Sequence, residues 1–326
     1  MTDMTPKVSI CIPIYNCERF IDACLDSALG QSYTDFECLI IDNASTDSTL
    51  DRVMSFDDPR IRVLRNAENI GAIANENRCI EEARGELIQF LHGDDRLLPE
   101  CLSRLVPTFD DPSVGLAFAR RRIESTDPKW AMLIGTLHTP LEPLGSVNDG
   151  KNIVRRYVDG GTKGNWIGEP TSVMLRRSVL VEVGGFDSRP RSYCDMELWL
   201  RVLARSSAAW VDSELSVRTQ HSANLSALLE ATDEAWLDRG WILNMLSHNS
   251  DLDGRTRMKA RRQWILSTIK NCVHALIAPW GSRRFKYRQL AQHVSEALGS
   301  ASWSNSAGRS LKGVECIPVK LTAGSQ

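Results

Sequence analysis

The 326-residue chain sets 39 Lys and Arg against 41 Asp and Glu, a formal charge of −2, and is 42% hydrophobic and 25% charged. That is the balance of an ordinary globular protein able to bury a sizeable core, and it speaks against bulk nucleic-acid binding. The nine cysteines are scattered and never spaced C-x-x-C, which suits reduced thiols in a cytoplasmic protein better than a disulfide framework or a zinc site.

The opening, "MTDMTPKVSICIPIYN", lacks the basic segment and cleavage site of a secretory leader, and no run of about 18 apolar residues occurs anywhere. "VSICIPI" (8–14) is a β-branched run of the kind a parallel strand buried on both faces requires. A helix follows with Phe20, Ile21, Cys24, Leu25 and Ala28 at helical spacing. Next come a second buried strand, "FECLIID" (36–42), and the turn "NASTDST", where Ser45 or Thr46 can cap a short helix. "RIRVLRN" (60–66) reads as a third strand, 72–85 as a helix closed by Gly85, "ELIQFL" (86–91) as a fourth strand and "VGLAFARRRIE" (114–124) as a fifth. Pro99 falls near the first turn of a further helix.

Residues 125–165, with Pro128, Pro140 and Pro143, read as a long, irregular connection lying over the sheet. Order returns with "SVMLRR", the "GGFD" turn at 184–187, an amphipathic helix over 194–206 and a strand pair near 208–219. From about 225 to 298 the pattern is helical, and 299–326, rich in Ser and Gly, reads as a flexible tail. The fold class is therefore α/β, a doubly wound and mostly parallel sheet with flanking helices, plus a C-terminal helical extension. Residues 1–224 form the main domain in this reading, with a first part over 7–124 and a second over 125–224.

Open α/β sheets bind ligands beyond the carboxyl ends of their strands. Tyr15 and Asn16 follow the first strand, Asp42 and Asn43 the second, and Asp94 and Asp95 the fourth, so carboxylates gather at one edge. A hard divalent cation bridging to phosphate oxygens would offset their repulsion. The plainer alternative is that "GDD" is an ordinary turn with Asp95 capping a helix near Leu98, and that "DNASTD" is an Asx turn.

The order of these features resembles the family 2 glycosyltransferases, which have the GT-A fold. The opening block aligns Pro13, Tyr15, Asn16, Gln31, Tyr33, Phe36, Glu37, Asp42, Ser45 and Asp47. "NIGAIANENRCIEEARGELIQFLHGDD" is similar to the next block, "GGFD" and "CDMELWLR" to a third and fourth, and "VRTQHSANLS" (217–226) to a fifth. The resemblance covers 7–226 and implies an inverting, Mn²⁺- or Mg²⁺-dependent transfer from a nucleotide-sugar, with a UDP-sugar favoured. It implies that Pro13, Ile14 and Tyr15 line the nucleotide pocket, that Asp42 meets the base with Asn43 as a hydrogen-bonding neighbour in the nucleotide-sugar site, and that Asn69 and Asn77 support that loop. Asp94 and His221 would hold the metal, Asp95 would be a second acid, and Arg218 would lie by the diphosphate. Asp195 would be the catalytic base, its place at a helix N-terminus favouring the ionised form. Read without the resemblance, Asp195 is a helix-end charge and His221 a loop histidine.

Four residues depart from that pattern: His92 in place of the first acid of D-x-D, Asn43 for a second acid, Glu76 where a basic residue is frequent, and Cys194 in place of a Glu. A sugar-phosphate nucleotidyltransferase or a dehydrogenase would need a glycine-rich loop after the first strand, and "PIYNCERF" has no glycine. A catalytically retired nucleotide-sugar-binding module is the remaining rival. Between Asp253 and His293 ten Lys or Arg stand against one acid, beside apolar positions at helical spacing and near Trp264 and Trp280. Either these helices pack with a solvated basic face, or they touch the inner face of the cell membrane, where a lipid-linked saccharide acceptor would be met. Self-association is left open.

Overall fold

A computed structural model describes residues 5–125, 137–190, 192–221, 235–277 and 316–318. The expected helical stretch over 278–298, with its basic residues 283–288 and Trp280, lies outside the described residues.

Strands β1 (Val8–Ile14), β2 (Phe36–Asp42), β3 (Ile61–Asn66) and β4 (Leu87–Phe90) are parallel, in spatial order β3-β2-β1-β4. Successive side chains of β1 point to opposite layers. Ile10, Ile12 and Ile14 pack with Ile21, Cys24, Leu25 and Ala28 of α1 (Ile21–Leu29), while Cys11 packs with Cys79 and Ile80 of α3 (Ala72–Glu82). The doubly wound arrangement follows from that alternation of faces. Beyond β4 the order continues through β8 (Val173–Arg176), β6 (Val114–Ser125), β9 (Ser207–Gln220) and the two-residue β5 (Arg96–Leu97). Here β8 is antiparallel to both β4 and β6, and β9 runs parallel to β6. Gly85 brings the chain against β1: its N–H donates to Ser9 Oγ at 2.8 Å, and a Cβ there would lie 2.4 Å from the Ser9 nitrogen.

Several sequence expectations need correction. The segment 208–219 is a single strand, because its polar interruption at Asp212 and Ser213 is a bulge against β6 and not a turn. The connection after residue 125 contains β7 (Val147–Asn148), paired with β9, and α5 (Gly150–Asp159). Asp149 caps α5 by accepting from the Lys151 N–H, and Ile153, Val154, Tyr157 and Val158 are its buried face. Helix α2 (Thr49–Met54) is not capped by Ser45 or Thr46; Asp47 accepts the Thr49 N–H at 3.0 Å, while Ser45 Oγ accepts from Asn16. α3 ends at Glu82, short of Gly85, and α4 (Cys101–Leu105) starts too far along for Asp95 to cap it. Within the expected tail, β10 (Cys316–Pro318) pairs antiparallel with β3. α6 (Arg177–Val183) and α7 (Cys194–Leu203) follow β8, and α8 (Ala235–His248) and α9 (Gly254–Ile277) are the described part of the C-terminal extension.

Candidate active site

The carboxyl ends of β1, β2 and β4 form the floor of the site. Residues after β1 and β2 are laced together: the Asn16 N–H donates to Ser45 Oγ, Asn16 Oδ1 accepts the Thr46 N–H, the Cys17 N–H reaches Thr49 Oγ1, and the Glu18 N–H reaches Asp47. Asn16 takes a positive φ of 49°, a conformation Asn tolerates, and this leaves the neighbouring Tyr15 ring exposed at the rim. Ile14 is buried beneath it, with Pro13 half-buried. Asp42 is fully buried, accepts the Ser45 N–H and pairs with Arg65 Nε at 3.1 Å.

Asn43 belongs to a net of amides. Its Oδ1 accepts from Asn66 Nδ2 and the Ile70 N–H, and its Nδ2 donates to Asn69 Oδ1. An aspartate at 43 could not make that donation, so the amide is what orders the loop carrying Asn69. Asn77 stands elsewhere: it exchanges two hydrogen bonds with the Phe186 backbone and so ties α3 to the "GGFD" turn, not to the nucleotide loop.

After β4, Gly93 lets the chain press on Cys17, since a Cβ would lie 2.9 Å from Cys17 Sγ. The two acids then part company. Asp95 is buried, with one oxygen accepting the Thr171 hydroxyl at 2.7 Å and the other the Thr219 N–H at 2.9 Å. It braces the loop before β8 and the end of β9. Asp94 stays partly open, and its Oδ2 lies 3.1 Å from His221 Nε2, whose ring stacks on Phe20 with centroids 4.7 Å apart. Asp94 and His221, 127 residues apart in sequence, are thus brought together. Carboxylate and imidazole are donors that fit a divalent ion. Among the described residues no group of three or more His, Cys, Asp or Glu is placed to hold an ion unaided.

His92 and Glu76, two departures from the family pattern, meet each other: His92 Nε2 is 3.0 Å from Glu76 Oε1. Burial disfavours the imidazolium, but the bond to Glu76 and the nearby carboxylates outweigh it and lift His92 to about 9. The chain therefore carries a cation where an acid is usual and an acid where a base is usual.

Asp195 opens α7. Its Oδ1 accepts the Met196 N–H and its Oδ2 accepts from Asn165 Nδ2 at 2.7 Å. Contrary to the expectation from its helix-end position, burial dominates and raises its pKa to about 7. Asn165 holds its own loop as well, its Oδ1 accepting the N–H groups of Ile167 and Gly168. Next along, Glu169 receives the guanidinium groups of Arg121 and Arg218 together; burial would raise it, yet the two cations bring it to about 2. Arg218, expected by the diphosphate, pairs here with Glu169 through Nη1.

Residues 9–183 match the family "Glycosyl transferase family 2". The chain belongs to that family. Among curated relatives of this family 2 glycosyltransferase, the uncharacterized protein MT1568 of Mycobacterium tuberculosis is 41% identical over 287 residues, covering 88% of this chain and 89% of that one. The Escherichia coli UDP-Glc:α-D-GlcNAc-diphosphoundecaprenol β-1,3-glucosyltransferase WfgD is 41% identical over 88 residues, 27% of this chain and 35% of the relative. Of solved structures, Staphylococcus aureus TarS 1–349 with UDP-GlcNAc superposes with a TM-score of 0.64 at 16% identity, over 90% of this chain and 81% of TarS. The mannosyltransferase PcManGT of Pyrobaculum calidifontis with GDP-Man and Mn²⁺ gives 0.56 at 15% identity, over 92% and 84%. The fold is accordingly GT-A, and the protein is a glycosyltransferase.

Asn165, Glu169, Arg121 and Thr171 carry no site signal in the sequence on their own, and Phe20 reads only as a helix-face residue. The one local signal, for Asn165 and Glu169, is "NWIGEP", where Asn165 Oδ1 accepts from the Ile167 and Gly168 N–H groups in an Asx-type turn after α5.

Proposed function

We propose that this glycosyltransferase moves a sugar from a UDP-sugar to a hydroxyl of a lipid-linked saccharide, with inversion at the anomeric carbon. The observation that carries the reading is one carboxylate raised to about 7, Asp195, near Glu169 and Arg218, together with a carboxylate–imidazole pair, Asp94 and His221, whose histidine lies three residues beyond Arg218. Asp195 takes the acceptor's proton as its oxygen attacks, a task suited to a base poised near neutral pH. Asp94 and His221 would hold Mn²⁺ or Mg²⁺, which when bound supplies positive charge to the leaving diphosphate. Tyr15 offers an aromatic face to the base, Pro13 and Ile14 line the same wall, and Asp42, Asn43 and Asn69 fix its loop. Asp95 serves as the brace of this site, one oxygen accepting the Thr171 hydroxyl and the other the Thr219 N–H. UDP-GlcNAc in TarS and the diphosphoundecaprenol acceptor named for WfgD support the donor and acceptor classes. Among the described residues no helix is long and apolar enough to cross a membrane. We place the enzyme at the inner membrane face, where a nucleotide-sugar and a lipid-linked acceptor would meet.

The test is UDP release from UDP-Glc and UDP-GlcNAc, with Mn²⁺ and a polyprenyl-diphosphate-linked saccharide. Acceptor-dependent UDP formation is expected. Melting shifts with a UDP-sugar but no release under any condition would identify a binding module in place of an enzyme.

A further inference from the structure

Helix α9 turns a side of small and polar residues and one aromatic inward, and Trp264, expected beside the basic cluster, packs there against the core. Thr256 and Ala260 are buried, Gln263 donates to the Val158 carbonyl at 2.8 Å, and Lys259 pairs with Asp159. On the opposite side Met258 is 72% exposed, and Ile265, Leu266, Ile269 and Val273 are 44–55% exposed. At the α-helical repeat these five fall within an arc of about 100° spread over about four turns. Arg255 and Arg262 lie in that arc, and Arg261 and Lys270 border it. From Asp253 to Ile277 six Lys or Arg stand against Asp253 alone.

We propose that this face of α9 docks on an anionic lipid surface. Charge selects the partner. An apolar stripe within a basic border matches a bilayer carrying acidic headgroups, where the aliphatic residues enter the acyl boundary and the Lys and Arg stems reach back to the phosphates. A second copy of the chain would have to bring the same basic border against its own. The proposal rests on the lipid-linked acceptor only for its purpose. Vesicle binding is measured without donor or acceptor, so it can fail while the transferase reading stands, and the reverse also holds.

The experiment is co-sedimentation of the full chain with vesicles of phosphatidylcholine alone and of phosphatidylcholine mixed equally with phosphatidylglycerol, at low and high salt. Binding is expected to the mixed vesicles at low salt. Arg262→Gln and Lys270→Gln should each weaken it roughly fivefold. The combined Ile265→Ser, Leu266→Ser and Ile269→Ser variant should abolish it while leaving the circular dichroism and UDP release unchanged. No sedimentation with anionic vesicles, or binding that the serine variant leaves intact, would overturn the proposal. So would a dimer in light scattering that the serine variant dissociates, since the stripe would then be a contact between copies. Protection of the stripe by residues 278–315 of the same chain would show as no binding and no dimer, and would equally contradict it.

Discussion

At Asp195 two opposing effects act on one carboxylate. The Met196 N–H and Asn165 favour its ionised form, burial disfavours it more strongly, and the result is a pKa near 7 in place of the ordinary 3.8. A base must be ionised to act, so kcat/KM should rise with pH and level off above about 7. The stability consequence has the opposite sign. Between the unfolded value and about 7 the folded chain holds a proton that the unfolded chain releases, so stability falls as pH rises through that window. Asp195→Asn should therefore remove catalysis and yet melt higher than the wild type at pH 8. Asn165→Ala withdraws a bond to the charged form; kcat should drop roughly tenfold, and the midpoint of the pH profile should move upward. An Asn165 that merely shaped the loop would leave that midpoint in place.

The departures from the family pattern also resolve at this scale. Asn43 works through a donation no carboxylate can make, and His92 and Glu76 form one pair of inverted polarity. Cys194 remains a thiol, its pKa pushed well up by burial, so it leaves the charge beside Asp195 unchanged. For the pair, His92→Asp and Glu76→Arg should each lower the melting temperature, and the double variant should recover most of the loss. A coupling of about 1 kcal/mol in denaturant titrations is expected, and strict additivity of the two losses would contradict the pairing.

Among elements, the loop between α5 and β8 organises the site. It supplies Asn165 to Asp195, Glu169 to Arg121 and Arg218, and Thr171 to Asp95. Glu169→Gln would leave two guanidinium groups without their buried carboxylate, a loss of roughly 3 kcal/mol readable as a lower denaturant midpoint. The core strands were legible in sequence because each is an apolar run closed by polar residues, and β1 and β2 fall on their expected bounds. Helix α5 was hidden by the prolines and glycines around it, although Asp149 and the spacing of Ile153, Val154, Tyr157 and Val158 announce it. β9 was divided in error because a bulge and a turn use the same polar residues. Close packing sets limits here as well: Gly85→Ala would push a methyl against Ser9 and should cost about 2 kcal/mol.

Across the whole molecule, the sheet gathers residues that sequence distance separates. Asp42 and Asp94 could be singled out because each follows a strand at the expected edge, whereas Asp195 stands out only through the family resemblance. The Glu169 pair could not be: Arg121 lies 48 residues before Glu169 and meets it only once β6, β8 and β9 have paired. The same pairing turned Asp95 inward, a distinction "GDD" does not carry, and brought Arg218 to Glu169. The central claim is that this assembled edge transfers a sugar with Asp195 as base. Its most direct test compares wild type with Asp195→Asn for Mn²⁺-dependent, acceptor-dependent UDP release, with UDP-sugar affinity measured on both. Release by the wild type alone at equal affinity is predicted. Equal rates from the two proteins would contradict the assignment.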